Sequence, residues 1–330
     1  MSRDGLTRRT VLRALLATGA ASALTPALAS CTPTPRAASM VVAGGESGGF
    51  YLEFATLLAD SLQRHHVASV ASVEITGGSL DNVKKLLDGE ATLAVALADA
   101  ASLSAGQESQ HGGKIVALGR VYENYVHALV RKDSPISSIK DLAGRTVAVG
   151  TEGSGTSLIT PRLFDVAKLS TITAGSSNKA VTVLPLGLND GLAALAEKSV
   201  DALFWCGGVP TASITQAHAT TPFSLLDLSA LLPGLSQEYG TFYDRVLIPA
   251  NSYAGMDAVW SIGVANLLLC RSDLDDATVK ATVKLLVGHG DELIPQSSVG
   301  VQFLSSETLI NTADIPLHPA AAAAYRELHG

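Results

Sequence analysis

Three short runs of Gly, Ser and Thr carry most of the chemistry that the sequence offers. They are Gly44-Gly45-Glu46-Ser47-Gly48-Gly49, Thr76-Gly77-Gly78-Ser79 and Gly153-Ser154-Gly155-Thr156, and each leads into a helix-like stretch. A helix start presents unpaired N–H groups and the positive end of the helix dipole, and small residues let a ligand reach that backbone. Such loops hold anions well. One loop alone is equally well explained as a turn in which glycine supplies positive φ, but three in matched positions favour a carboxylate or other anion held between them. Asn82 and Asp99 lie just beyond these runs; Asp99, after the apolar run 93–97, sits where a parallel sheet exposes its ligand-facing edge, placed to hold an ammonium or to cap the next helix. Tyr51 and Tyr253 are the aromatics best placed to meet a ligand, with plain packing as the alternative for each.

The same residues also admit catalytic readings. Gly45-Glu46-Ser47-Gly48-Gly49 matches a Gly-x-Ser-x-Gly nucleophile elbow, with His289 or His318 as downstream bases for a serine hydrolase. It follows the first strand, however, where the elbow of an α/β-hydrolase follows several. Gly153-Ser154-Gly155 lacks the third glycine of a dinucleotide fingerprint, since Leu158 stands there, and the chain has no Gly-Lys-Ser/Thr. His65 and His66 begin no metal-binding spacing. The reading is a binding protein without catalytic residues, cofactor or metal.

The elements that position these loops alternate short apolar strands with amphipathic helices, an α/β pattern with largely parallel sheets that occurs twice. The first unit reads as strand 40–43, helix 50–63, strand 73–75, a helix from Ser79, as its cap, to Leu87, and strand 93–97. The second reads as strand 145–149, helix 157–167, strand 183–186, helix 189–197 and strand 201–205, ending at Cys206-Gly207-Gly208-Val209-Pro210. Strands at Val126–Lys132 and 259–270 read as crossovers between two lobes, one of 40–126 plus 271–330 and the other of 127–270 with the crossover strands.

The amino terminus reads as an export signal over residues 1–30, with twin arginines in Thr7-Arg8-Arg9-Thr10 and an Ala/Leu-rich stretch broken by Pro26. Leu28-Ala29-Ser30-Cys31 has the form of a lipobox, making Cys31 a lipidated membrane anchor and 31–39 a tether. Arg3, Arg8, Arg9 and Arg13 outweigh Asp4 in that signal, so the net charge of −7 falls to about −10 on its removal. Such acidity excludes a nucleic-acid partner. Cys206 and Cys270 read as buried small hydrophobes.

In order along the chain, Gly44 to Tyr51, Thr76-Gly77-Gly78-Ser79 with Asn82, Ile139-Lys140-Asp141-Leu142-Ala143-Gly144-Arg145, Gly153-Ser154-Gly155-Thr156, Gly208-Val209-Pro210, Ile248-Pro249-Ala250 with Tyr253, and Leu317-His318-Pro319 resemble the TAXI branch of the TRAP-transporter solute receptors. The resemblance implies a two-lobed type II periplasmic-binding-protein fold that closes on glutamate, 2-oxoglutarate or a related carboxylate and serves a TRAP-type membrane permease. A receptor for an ABC importer or a signalling partner would share the fold. Carried over by position, Ser47 to Tyr51, Thr76 to Ser79 and Gly153 to Thr156 would touch ligand, with Gly208 and Pro210 shaping the wall. Phe50, Leu97 and Thr92 depart from the polar residues usual in that family, which implies a less polar ligand end. Arg120 and Arg162 are the arginines left to meet a carboxylate from outside the loops.

Overall fold

The computed structural model describes residues 37–109, 112–173, 179–296, 298–300 and 302–329. The expected export signal over residues 1–30 and the expected lipidation site Cys31 lie outside the described residues. Residues 35–330 form one compact unit. No helix among the described residues is long and apolar enough to cross a membrane.

The unit opens with β1 (Ala37–Ala43), α1 (Phe50–Arg64), β2 (Ala68–Glu74), α2 (Ser79–Asp88), β3 (Leu93–Leu97) and α3 (Ala98–Leu103). In α1, Phe50, Phe54, Leu58 and Leu62 recur every fourth residue and are buried together, while Glu53, Thr56 and Asp60 face water. α2 starts from Gly78, whose φ of 114° admits no other residue comfortably, and stops at left-handed Gly89. Ser79, expected as the cap, is instead the first helical residue, and its hydroxyl turns inward.

The long strand β4 (Ile115–Arg131) follows, then β5 (Thr146–Ala148), α4 (Gly155–Val166), β6 (Thr171–Ile172), β7 (Val181–Leu184), α5 (Leu188–Ala196), β8 (Ala202–Gly207), α6 (Ala212–Thr220) and β9 (Phe223–Leu225). The remainder comprises α7 (Leu232–Tyr239), β10 (Tyr243–Ile248), β11 (Val259–Arg271), α8 (Asp276–Gly288), α9 (Ser306–Leu309) and α10 (Pro319–His329). The expected crossover strand at 126–132 is thus the end of a strand that begins at Ile115.

The strands join in the order β2-β1-β3-β11-β4-β8-β5-β7-β6. β1, β2 and β3 run parallel, as do β5, β6, β7 and β8. Between these half-sheets stand β11 and β4, antiparallel to each other and to their outer neighbours. Each half has its own apolar packing: α1 and α8 cover the first through Phe54, Leu58, Val283 and Leu286, and α4 covers the second through Ile159, Leu163 and Phe164. Burial of such side chains contributes about 1.5–3 kcal/mol each, and at the seam between the halves Leu97 meets Gly155 and Phe50 meets Gly208.

Candidate functional site

Four of the glycine-bearing loops leave the carboxyl ends of parallel strands. Gly44–Gly49 follows β1, Thr76–Gly78 follows β2, Gly150–Ser154 follows β5 and Gly208–Thr211 follows β8. The carboxyl edges of the two half-sheets face each other across a narrow pocket with a cavity volume of about 20 Å³. Gly49, Phe50, Tyr51, Gly77, Gly78 and Ser79 line it from the first half. From the second come Ser154, Gly155, Thr156, Trp205, Cys206 and Gly207. The three loops singled out by composition therefore meet at one place.

Glycine is required where the walls approach each other. A Cβ on Gly155 would lie 2.9 Å from Ser79 Oγ and collide with Leu97, and one on Gly49 would come within 3.2 Å of the Trp205 ring. Among the described residues, the N–H groups of Phe50 and Tyr51 at the start of α1, and of Gly155 and Thr156 at the start of α4, make no hydrogen bond outside their own helices. Those are donors an anion can use. α2 differs: Leu80 and Asp81 donate to Gly153 O at 3.0 and 3.1 Å, which joins the halves and occupies that helix start.

The hydroxyls in the wall serve the scaffold first. Ser154 Oγ accepts from Ser157 N–H at 3.0 Å and caps α4. Thr156 Oγ1 accepts from Cys206 N–H at 3.0 Å, and Ser79 Oγ accepts from Leu97 N–H at 3.2 Å while lying 3.0 Å from Tyr51 OH. Tyr51 OH donates to Asn266 Oδ1, and burial holds the phenol well above its ordinary pKa, so it remains a neutral donor.

Several residues singled out from the sequence lie behind or beside the pocket. Thr76 Oγ1 accepts from Gly78 N–H and lies 2.6 Å from Asn82 Oδ1, and Asn82 Nδ2 donates to Gly44 O and Val95 O; both shape the loops from behind. Asp99 is fully buried and pairs with Arg162 at 2.9 Å and with Tyr243 OH at 3.0 Å. Burial raises its pKa and Arg162 opposes that rise. Arg120 is held by Glu123 and Asp244, so both arginines considered for a ligand carboxylate already meet acids of the chain. Tyr253 OH donates to His127 Nε2 at 2.8 Å and accepts from Thr211 N–H at 3.0 Å. Gly208 packs on Phe50, and Pro210 follows a cis peptide bond. Ser47, Gly48 and Gly153 sit at the seam: Asn189 Nδ2 donates to Ser47 O at 3.0 Å, and Ser213 faces Gly48. Among the described residues no histidine or carboxylate is hydrogen-bonded to Ser47 Oγ. Cys206 and Cys270 are both buried and free.

Sequence reasoning missed Glu46 and the Trp205-Cys206-Gly207 wall. Glu46 Oε2 accepts from Leu188 N–H at 2.8 Å at the start of α5, across the seam, while Oε1 is buried without a partner. Burial raises its pKa. The rule that pointed to Asp99, a residue at the carboxyl end of a parallel strand, applies equally to Trp205–Gly207.

A model of the NMT1-like family matches residues 42–328. The chain belongs to that family. Among solved structures, the periplasmic binding protein BugD is 16% identical, with 88% of this chain and 93% of BugD covered and a TM-score of 0.53. A protein of Bordetella bronchiseptica RB50 is 15% identical, with 89% and 98% covered and a TM-score of 0.52. These likenesses bear on the fold of this NMT1-like protein, which is the mixed α/β type II periplasmic-binding-protein fold.

Proposed function

We propose that this NMT1-like protein is an extracytoplasmic solute receptor that closes around a small carboxylate-bearing molecule and passes it to a membrane permease without covalent chemistry. The observation that carries this reading is the pocket lined jointly by the loops of both half-sheets. Residues 40–126 with 271–330 form one lobe and 127–270 the other, with β4 and β11 as the hinge. A solute drives closure only as far as it binds the closed state better than the open one. The free N–H groups starting α1 and α4 receive the carboxylate, and Glu46 Oε1 accepts from a ligand ammonium, amide or hydroxyl.

The ordered set of motifs favours the TAXI branch and a TRAP-type permease, with an ABC importer as the alternative partner. Twin-arginine export and lipidation at Cys31 would hold the receptor at the outer face of the cytoplasmic membrane. The likeness to the periplasmic binding protein BugD is consistent with such a role. Native mass spectrometry of the purified protein tests the receptor reading. A small carboxylate released on gentle activation, one per chain, supports it; an empty pocket that also ignores added carboxylates counts against it. Intact mass of the membrane-extracted form reports the lipid on Cys31.

A further inference from the structure

Beneath the pocket, β4 and β11 place three uncharged polar side chains on one face. Antiparallel register sets Asn266 opposite Tyr122 and Val264 opposite Asn124. Tyr122 and Asn124, two residues apart, therefore point the same way as Asn266. All three are fully buried, and Tyr122 OH, Asn124 Oδ1 and Asn266 Nδ2 have no hydrogen-bond partner. Each touches the pocket lining: Asn266 through Tyr51 OH, Tyr122 through the Phe50 ring at 4.9 Å, and Asn124 through Cys206 O at 3.2 Å.

The hydrogens of this cluster are ordered by its neighbours. Leu97 N–H can only donate, and it donates to Ser79 Oγ. The Ser79 hydrogen has Tyr51 O as its acceptor, and the Tyr51 hydrogen goes on to Asn266 Oδ1. Reversing the last two bonds would leave the Ser79 hydrogen without an acceptor among the described residues. Asn266 thus presents its NH₂ as a spare donor. Asn124 is fixed the other way, because its Nδ2 donates to Cys206 O, leaving Oδ1 as a spare acceptor. Glu123 lies between Tyr122 and Asn124 on the alternate face and pairs with Arg120.

A carboxylate set against this face would meet Asn124 Oδ1 lone pair to lone pair, and an ammonium would meet the Asn266 NH₂. A neutral group that both donates and accepts satisfies all three. We propose that the face formed by Tyr122, Asn124 and Asn266 recognises a carboxamide-like end of the solute, while the starts of α1 and α4 hold its carboxylate. This rests on the reading of the pocket as a solute site.

Calorimetric titration of the purified protein with matched pairs tests it: glutamine against glutamate, succinamate against succinate, and glutaramate against glutarate. The expected result is an amide member that binds at least about tenfold more tightly than its acid isostere. Asn266→Asp keeps an acceptor for Tyr51 and removes the donor pair, and it should erase that preference. Tyr122→Phe, which deletes only an unpartnered hydroxyl, should leave the melting temperature unchanged and weaken the amide several-fold, so the idea stays testable if Asn266→Asp does not fold. Equal or tighter binding of the acids, or a preference that survives both variants, overturns the assignment while leaving the receptor reading intact. Failure of every pair to bind also overturns it, and the co-purified solute then judges the receptor reading separately.

Discussion

Gly208 follows β8 in the second half-sheet, and an alanine methyl there would fall on the Phe50 ring of the first half, 2.9 Å from Phe50 Cβ. Phe50 is fixed by the Phe54 and Tyr122 packing around it and has little room to yield. Overpacking by a methyl typically costs about 1–3 kcal/mol. If the halves open about β4 and β11, that penalty falls on the closed state alone. Gly208→Ala should then weaken solute binding between about 5- and 150-fold, at 1.4 kcal/mol per tenfold, while the ligand-free protein keeps its melting temperature. Calorimetry gives the affinity and differential scanning fluorimetry the melting temperature. The reasoning is refuted if the ligand-free protein loses about 2–4 °C per kcal/mol of that penalty with affinity unchanged, because the Gly208–Phe50 contact would then belong to a permanent core.

Three further perturbations address individual contacts. Ser154→Ala removes the cap on α4 and should lower stability by about 1 kcal/mol in urea titrations; no change would mean that the Ser157 N–H finds another acceptor. Glu46→Ala removes the acceptor for Leu188 N–H across the seam and should reduce solute affinity about 10- to 150-fold, as expected for a hydrogen bond to a charged group, with little change in the ligand-free melting temperature. His127 is pulled down to about 4 by burial, so at pH 5 its ¹⁵N shifts should report a neutral ring protonated at Nδ1, the nitrogen facing Tyr125 O. Because the unfolded chain takes up that proton first, His127 withdraws up to about 3 kcal/mol as pH falls from roughly 6.5 to 4. Glu123, pushed up to about 7 by burial, acts in the opposite sense, losing stability as pH rises from about 4.5 to 7. An imidazolium at pH 5 would contradict the buried pairing with Tyr253.

The loops were legible because strand, glycine loop and helix recur at matched positions, and backbone chemistry there depends little on distant partners. Roles that depend on distant partners were not. Asp99 meets Arg162 across the seam, far along the chain, and the sequence offered each separately to a ligand. Thr76 and Asn82 carry the same polar groups whether they face the solute or the back of a loop, and only the register of β1 and β3 turns Asn82 toward Gly44 and Val95. The length of β4 was hidden because Gly119, Arg120, Glu123 and Asn124 interrupt its apolar pattern.

The most direct test of a solute receptor that closes on a carboxylate is a thermal-shift titration of the purified protein with mono- and dicarboxylates, their amides, amino acids and cationic controls. Bound ligand at about a hundred times its Kd adds about 2.7 kcal/mol. Saturable stabilisation by a carboxylate-bearing compound, strongly reduced in Gly208→Ala, is the expected result. Stabilisation only by compounds without a carboxylate, or a carboxylate response that Gly208→Ala leaves intact, would contradict it.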